Sequence, residues 1–221
     1  MLPFLLAGVA WLLTWLLIMP VRFRRMKGGK DTPFTLVLKG LPTATAAAFA
    51  CYAALGHNPG PYASWMALGL VVCLVADVVL GIQFAVGGGL FLCGHICYVL
   101  GLTSLVPLTL WHGILFAVAM VILQGFLIAY RKRMTNKLIA YGVCVYAAAL
   151  SALLASALPL PFLAQGFQTI RAAVGALLFV LSDATLCDNM INNRPLPNQY
   201  ISLGIYYTAQ FLLGLSALRV L

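Results

Sequence analysis

The chain has 221 residues, of which 63% are hydrophobic and 8% are charged, and this composition excludes an ordinary soluble domain and indicates a polytopic membrane protein. A formal net charge of +9 would suggest a nucleic-acid partner in a soluble protein. Here the basic residues cluster in two short segments, 22–30 and 131–137, which is typical of cytoplasmic loops, so we expect membrane lipids and no nucleic acid as partners.

Eight apolar segments predict an all-α integral membrane protein with eight transmembrane helices in one domain, residues 1–221. The first segment is expected to be a retained helix and not a signal peptide, because basic residues follow it and do not precede it. Gly87 to Gly89 can break the fourth helix. In chain order the predicted spans cover about 2–19, 34–55, 62–82, 89–106, 109–130, 138–158, 167–187 and 199–219.

The two basic segments also predict the orientation of the chain. Both are expected on the cytoplasmic side, since cytoplasmic loops are enriched in Lys and Arg. With eight spans, both termini then lie outside. The predicted location is therefore a multi-pass position in a membrane, the inner membrane if the source is bacterial.

An internal repeat relates the two halves of the sequence. Residues 67–80 align without gaps to residues 173–186, which places Asp77 over Asp183 at an offset of 106 (183 − 77). Lys39-Gly40 and Tyr141-Gly142 lie at a similar offset, 102 (141 − 39). Chance similarity is a rival explanation in so biased a composition. A true repeat would be a parallel four-plus-four duplication that brings both aspartates to the same depth.

The acidic residues are the most informative feature. Glutamate is absent, and two of the four aspartates, Asp77 and Asp183, lie inside apolar segments. A carboxylate costs several kcal/mol inside a bilayer, so it is a candidate functional group by default. Counted from the predicted cytoplasmic span ends, a set of polar residues lies about 6 to 12 Å deep, which indicates a pocket near the cytoplasmic leaflet and not a pore. This set is Lys39, Asp77, His95, Asp183, Tyr206 and Tyr207.

Each of these residues also has a structural explanation. Asp77 and Lys39 could form an ion pair that ties two helices. His95 could hydrogen-bond a neighbouring helix, and the two tyrosines could belong to an interfacial aromatic belt. Asp188, together with Asn189, Asn192 and Asn193, is expected in a solvated loop.

The six cysteines predict neither a disulfide framework nor a metal site. None has the paired spacing of zinc ligands, and on a helix His95 points away from Cys93 and Cys97, which lie two residues from it on either side. We expect the cysteines to fill apolar space, and we expect no metal and no cofactor.

Several short motifs in five of the predicted spans resemble the YhhN-like lysoplasmalogenases, over roughly residues 35 to 218. The chain departs from that pattern at Ala76, where glycine is expected, and at Cys187-Asp188, where a more apolar pair is expected. The matching motifs are Lys39-Gly-Leu-Pro42, Ala76-Asp77, Gly94-His95-Ile-Cys-Tyr98, Ser182-Asp183-Ala-Thr-Leu186 with Asn189, and Tyr206-Tyr207-Thr-Ala-Gln210.

The resemblance implies hydrolysis of the vinyl-ether bond of a lysoplasmalogen, a lysophospholipid, to a fatty aldehyde and glycerophosphoethanolamine or glycerophosphocholine. Such chemistry needs one carboxylic acid that protonates the vinyl β-carbon and one carboxylate that stabilises the oxocarbenium ion and activates water, a division that glycosidases also use. Two neighbouring carboxylates in a medium of low dielectric can share one proton. The resemblance assigns Asp77, Asp183 and His95 to catalysis. It assigns substrate binding to Lys39, Tyr98, Ser182, Asn189, Tyr206, Tyr207 and Gln210.

A small secondary transporter or channel is the alternative, in which duplicated halves move around a carboxylate site. Such sites lie near the middle of the bilayer, whereas the predicted polar layer lies close to one face. The roles of Lys39 and His95, and which aspartate is the acid, stay open at this point.

Overall fold

The computed structural model describes residues 2–26, 31–130, 137–164, 166–192 and 196–218. All regular secondary structure in these ranges is helical. The segments 27–30 and 131–136, which hold most of the two predicted basic loops, lie outside the described residues, as do 193–195 and 219–221.

Ten α-helices and two π-helical turns are present in the described ranges. The π-helical turns, Thr14–Ile18 and Ala53–His57, continue the preceding helices and do not end them. The α-helices are α1 (Leu2–Leu13), α2 (Met19–Arg25), α3 (Pro33–Tyr52), α4 (Pro61–Leu80), α5 (Phe84–Thr103), α6 (Leu110–Tyr130), α7 (Lys137–Ala157), α8 (Leu160–Leu163), α9 (Phe167–Ile191) and α10 (Leu196–Ser216).

Each of the eight predicted spans coincides with a long helical segment. Among the described residues, six of these segments are long and apolar enough to cross a membrane, so the prediction of a helical multi-pass fold is confirmed in this coarser form. Membrane crossing by the first and the last segment, and therefore the total of eight, stays a prediction. The six are Pro33–His57, Pro61–Leu80, Phe84–Thr103, Leu110–Ala129, Ala140–Leu163 and Phe167–Ile191.

The prediction that Gly87 to Gly89 break the fourth helix is wrong. Helix α5 begins at Phe84 and runs through these glycines without interruption. A side chain at Gly87 would collide with the backbone of Leu80, the last residue of α4. The glycine therefore allows the start of one helix to lie directly against the end of the previous one.

The predicted solvated loop around Asp188 is also wrong for its described residues. Helix α9 continues to Ile191, so Asp188 and Asn189 are helical, and Asn189 is buried. The side chain of Asn192 donates a hydrogen bond to Asp188 one helical turn back, which satisfies polar groups at the end of the helix.

Small residues bring the central helices close together. The ring of Tyr98 on α5 lies against Gly69 on α4, and Cys73 on α4 lies against Gly94 on α5, in positions that a β-carbon on either glycine would occupy. Since lipid tails are as apolar as the side chains, close packing through small residues is a main source of helix association in membranes.

The helix contacts place α3, α4, α5, α7, α9 and α10 around a common interior. The most extensive contacts join α4 to α5 and α9 to α10, while α3 also contacts α10 and α5 also contacts α7. These pairings are those expected if the two halves were related by a parallel repeat, with α3 equivalent to α7, α4 to α9 and α5 to α10. The repeat itself stays a prediction.

Candidate functional site

The carboxylate of Asp77 lies in the interior, three residues before α4 ends, and its side chain is almost fully enclosed, with the residue 2% exposed. Its Oδ2 accepts a hydrogen bond of 2.5 Å from the hydroxyl of Thr43 on α3 and one of 3.0 Å from the hydroxyl of Tyr206 on α10. Three helices therefore meet at one carboxylate oxygen.

A chain of hydrogen bonds with a fixed direction leads to Asp77. Tyr98 donates to Oε1 of Gln210 at 2.7 Å, and Nε2 of Gln210 donates to the hydroxyl of Tyr206 at 2.8 Å. Because an amide nitrogen only donates, the hydroxyl hydrogen of Tyr206 is directed to Asp77. All three side chains are buried, and this Tyr98–Gln210–Tyr206 chain fixes the position of the carboxylate.

Asp183 has a separate set of partners. Its Oδ2 accepts a hydrogen bond of 2.6 Å from the hydroxyl of Tyr146 on α7, and its Oδ1 lies 3.3 Å from the hydroxyl of Ser182. Ser182 also contacts the backbone oxygen of Phe179 at the shorter distance of 2.8 Å. A hydroxyl has one hydrogen, so when Ser182 donates to Phe179 its oxygen is free to accept a hydrogen from Asp183.

His95 lies between these two sets of side chains and is fully buried. Its Nδ1 lies 2.6 Å from the backbone oxygen of Phe91, which makes Nδ1 the protonated nitrogen of the neutral ring. Its Nε2 is buried and has no hydrogen-bond partner among the described residues. The His95 ring lies edge-on to Phe179 at 4.7 Å and 5.2 Å from the ring of Tyr146, centre to centre.

Phe179 packs against residues next to the candidate carboxylates. Its ring contacts His95, and it also meets the ring of Tyr206, the donor to Asp77, at 5.4 Å between centres. The two carboxylates share no hydrogen bond among the described residues, but they are close enough to interact electrostatically. Phe179 therefore contacts the donor to Asp77 and His95, and it lies one helical turn before Asp183 on α9.

Lys39 lies on α3 one helical turn before Thr43 and is buried. Among the described residues no ion pair joins it to Asp77, so the interpretation of these two residues as a direct ion pair does not hold. They do interact through space. The backbone oxygen of Lys39 accepts a hydrogen bond of 2.8 Å from Tyr207.

The two tyrosines on α10 do not form an interfacial belt. Tyr206 is 6% exposed and Tyr207 is 1% exposed, so both rings face the interior of the bundle and not lipid. Tyr206 belongs to the hydrogen bonds around Asp77, whereas Tyr207 ties α10 to the backbone of α3.

Asn189, the last candidate for substrate binding, lies apart from the aspartates. It lines an open groove of about 310 Å³ between α6, α9 and α10, together with Thr185 and Asp188. Neither Asp77 nor Asp183 lines this groove. Within the described residues, no three His, Cys, Asp or Glu side chains are grouped closely enough to hold a metal ion.

His95 lies deeper in the bundle than Asp77. Gly94 on α5 is level with Cys73 on α4, and Tyr98 is level with Gly69, so the two antiparallel helices are aligned. In this alignment His95 lies about five residues, or about 7.5 Å, farther from the end of α4 than Asp77 does.

Sequence reasoning missed Thr43 and Tyr146, the hydroxyl donors to the two aspartates. Thr43 on α3 and Tyr146 on α7 differ by 103 positions (146 − 43), near the offset of the aspartates, but a threonine or a tyrosine in an apolar helix does not by itself indicate such a contact. It also missed Arg22, which was assigned to a basic loop. In the structure Arg22 is in α2, is 4% exposed and is paired with Asp31 at 2.8 Å.

No curated protein and no solved structure matches this chain. A family model does match: the YhhN family, over residues 34–217, which include both aspartates, His95 and all their described hydrogen-bond donors. The match covers most of the chain, and the protein therefore belongs to the YhhN family.

Proposed function

We propose that this protein is a membrane-embedded lysoplasmalogenase that hydrolyses the vinyl-ether bond by acid–base catalysis with Asp77 and Asp183. Family membership supports the reaction, because the YhhN family is associated with lysoplasmalogenase activity. The observation that carries the roles is the pair of aspartates, Asp77 enclosed and Asp183 partly buried, each held by a hydroxyl from another helix.

The hydrogen bonds favour Asp77 as the ionised carboxylate. One of its oxygens accepts two hydroxyl hydrogen bonds. The direction of the Tyr98–Gln210–Tyr206 chain requires that the Tyr206 hydroxyl donate one of them. Hydrogen bonds donated to a carboxylate stabilise its charged form. Asp77 is therefore suited to stabilise the positive charge of the oxocarbenium ion.

Asp183 is suited to hold the proton. Its Oδ1 faces a serine oxygen that can accept a hydrogen while the serine donates to Phe179. Asp183 then protonates the vinyl carbon that is β to the ether oxygen, and the electron pair of the double bond forms the new C–H bond. The α-carbon is left as an oxocarbenium ion.

Water completes the reaction. His95 offers an unpartnered Nε2 acceptor in the space between the two sets of donors, and this atom can orient the attacking water. Attack at the oxocarbenium carbon gives a hemiacetal, while one proton of the water returns to the aspartate pair. Collapse of the hemiacetal breaks its C–O bond to glycerol, the hydroxyl proton of the hemiacetal passes to the glycerol oxygen, and the aldehyde and the glycerophospho-base are released.

The test is aldehyde release from lysoplasmalogen by purified protein in detergent. Asp77→Asn and Asp183→Asn should each fold and lose at least about 100-fold in turnover, as expected for acid–base groups. Asp188→Asn, on the same helix as Asp183, is the matched control and should retain its activity. Near-wild-type turnover by either of the first two variants would contradict the catalytic pair.

A transport function predicts a different result in the same preparation. Uptake of substrate into empty proteoliposomes without release of aldehyde would identify a carrier. Release of aldehyde from detergent-solubilised protein, where no compartment exists, requires an enzyme.

A further inference from the structure

Arg22 is a buried arginine with an incomplete set of hydrogen-bond partners among the described residues. It is at the end of α2, is 4% exposed, and donates from a single nitrogen, Nη2, to both oxygens of Asp31 at 2.8 Å. Its Nε is buried and has no partner among the described residues. A guanidinium fork usually meets an oxyanion with two nitrogens, so this arginine keeps a donor for a second anion.

Lys39 is a second buried cation next to this pair. It is 7% exposed, and among the described residues its amine has no hydrogen bond and no ion pair. It interacts through space with Arg22, Asp31 and Asp77. Among the described residues, Asp31 is the only carboxylate bonded directly to either cation, so Nε of Arg22 and the amine of Lys39 both keep donors for a further acceptor.

The position of Lys39 relates this site to the aspartates. Lys39 and Thr43 lie on the same face of α3, and Lys39 is about 6 Å nearer the helix start. The helix start lies at the same end of the bundle as Arg22. In a lysoplasmalogen, three glycerol carbons separate the ether oxygen from the phosphate. A lysoplasmalogen with its vinyl ether beside Asp77 and its headgroup toward this end of the bundle would place its phosphate near Lys39 and Arg22.

We propose that Arg22 and Lys39 bind the phosphodiester anion of the lysophospholipid headgroup, and that Asp31 holds Arg22 in position with Nε available for that anion. This proposal rests on the proposed function, which supplies the lipid. The site selects phosphate-bearing ether lipids over alkenylglycerols that lack phosphate.

The experiment measures binding and does not depend on turnover. Full-length protein in detergent is titrated with a saturated 1-O-alkyl-lysophosphatidylethanolamine, with 1-O-alkylglycerol, or with inorganic phosphate. Affinities follow from the concentration dependence of the unfolding temperature. The wild type should bind the phosphate-bearing ether at least about 10-fold more tightly than the alkylglycerol, because hydrogen bonds to charged groups are strong.

Two variants test the residues. Arg22→Gln combined with Asp31→Asn replaces the ion pair with two neutral amides, so no buried charge is left alone, and it should abolish the preference for the phosphate-bearing ether. Lys39→Gln should weaken that preference independently. Arg24→Gln is the matched control, because Arg24 is exposed on the same helix, and it should leave the preference unchanged.

The outcomes separate the explanations. Equal binding of both ethers by the wild type, or an unchanged preference in the double variant, would overturn the phosphodiester site. If inorganic phosphate alone bound as tightly as the lysolipid, the site would be a binding site for free phosphate, and its assignment to a lipid headgroup would be wrong. A preserved preference without any aldehyde release would instead contradict the proposed hydrolase activity and keep the phosphodiester site.

Discussion

Replacing Thr43 with valine removes one of the two hydroxyl donors to Asp77 with little change in shape. Thr43 is fully buried and donates at 2.5 Å to Oδ2, while Tyr206 donates to the same oxygen at 3.0 Å. A hydrogen bond to a charged group contributes about 1.5–3 kcal/mol. If Asp77 is the carboxylate that stabilises the oxocarbenium ion, loss of this donor destabilises its charged form, so a smaller fraction of the enzyme has Asp77 ionised and ready for the reaction.

The expected effect of Thr43→Val is a fall in kcat of about 10- to 150-fold, since about 1.4 kcal/mol corresponds to one factor of ten in rate. The assay is aldehyde release at saturating lysoplasmalogen, with KM measured in parallel. KM should change little, because the threonine hydroxyl is directed to Asp77. Tyr206→Phe should have a similar effect, and the double variant should lose less than the product of the two, because both donors serve one oxygen.

Thr45→Val is the matched control for this prediction. Thr45 lies on the same helix and donates to the backbone oxygen of Pro42 in its own helix, at 2.6 Å. It should keep wild-type kcat. A Thr43→Val enzyme with wild-type kcat and an unchanged thermal unfolding temperature would refute the role of the Thr43 hydroxyl in holding an ionised Asp77.

Three further predictions concern topology, mechanism and packing. If both basic segments face the cytoplasm, an impermeant thiol reagent applied outside should label cysteines introduced near Asn58 and Leu160 but not near Thr135, which lies outside the described residues; labelling at Thr135 would reverse the orientation. Turnover in deuterium oxide should be slower and give an aldehyde with deuterium at its α-carbon, the former vinyl β-carbon, when it is reduced promptly; an unlabelled product would rule out carbon protonation. Gly214→Val should lower the unfolding temperature through overpacking, because a β-carbon at Gly214 would press on the backbone oxygen of Ala46 at 2.6 Å, and an unchanged temperature would show that α3 and α10 can separate freely.

The sequence predicts the helices well and their ends poorly. Apolar segments of about twenty residues identify the helical segments because the lipid requires that length. The ends depend on local contacts that hydropathy does not register. At Gly87 the close contact with Leu80 leaves no room for a side chain, and α9 continues through Asn189, whose side chain is buried.

Site residues could be predicted where the residue type is costly to place in lipid, as for Asp77 and Asp183. They could not be predicted where the residue type is common in membrane helices, as for Thr43. Hydroxyl side chains in helices commonly bond to their own backbone, as Ser151 does with Ala147, and nothing in the sequence distinguishes Thr43 from them. The burial of Arg22 could not be predicted from the sequence for another reason. The enrichment of cations on one side of a membrane already accounts for an arginine at a helix end, so its burial beside Asp31 carries no signal in the sequence.

The direction of the hydrogen bonds around Asp77 has a consequence for proton traffic. Gln210 receives a hydrogen at its oxygen and gives one from its nitrogen, and an amide passes a proton between these atoms only by becoming an imidic acid. Protons therefore do not pass from Tyr98 to Asp77 along this chain. The chain holds Asp77 in position but does not conduct protons to it. The proposed hydrolysis does not need proton transfer along this chain, because it consumes water and no net proton: the attacking water returns to the aspartate pair the proton that Asp183 gave up.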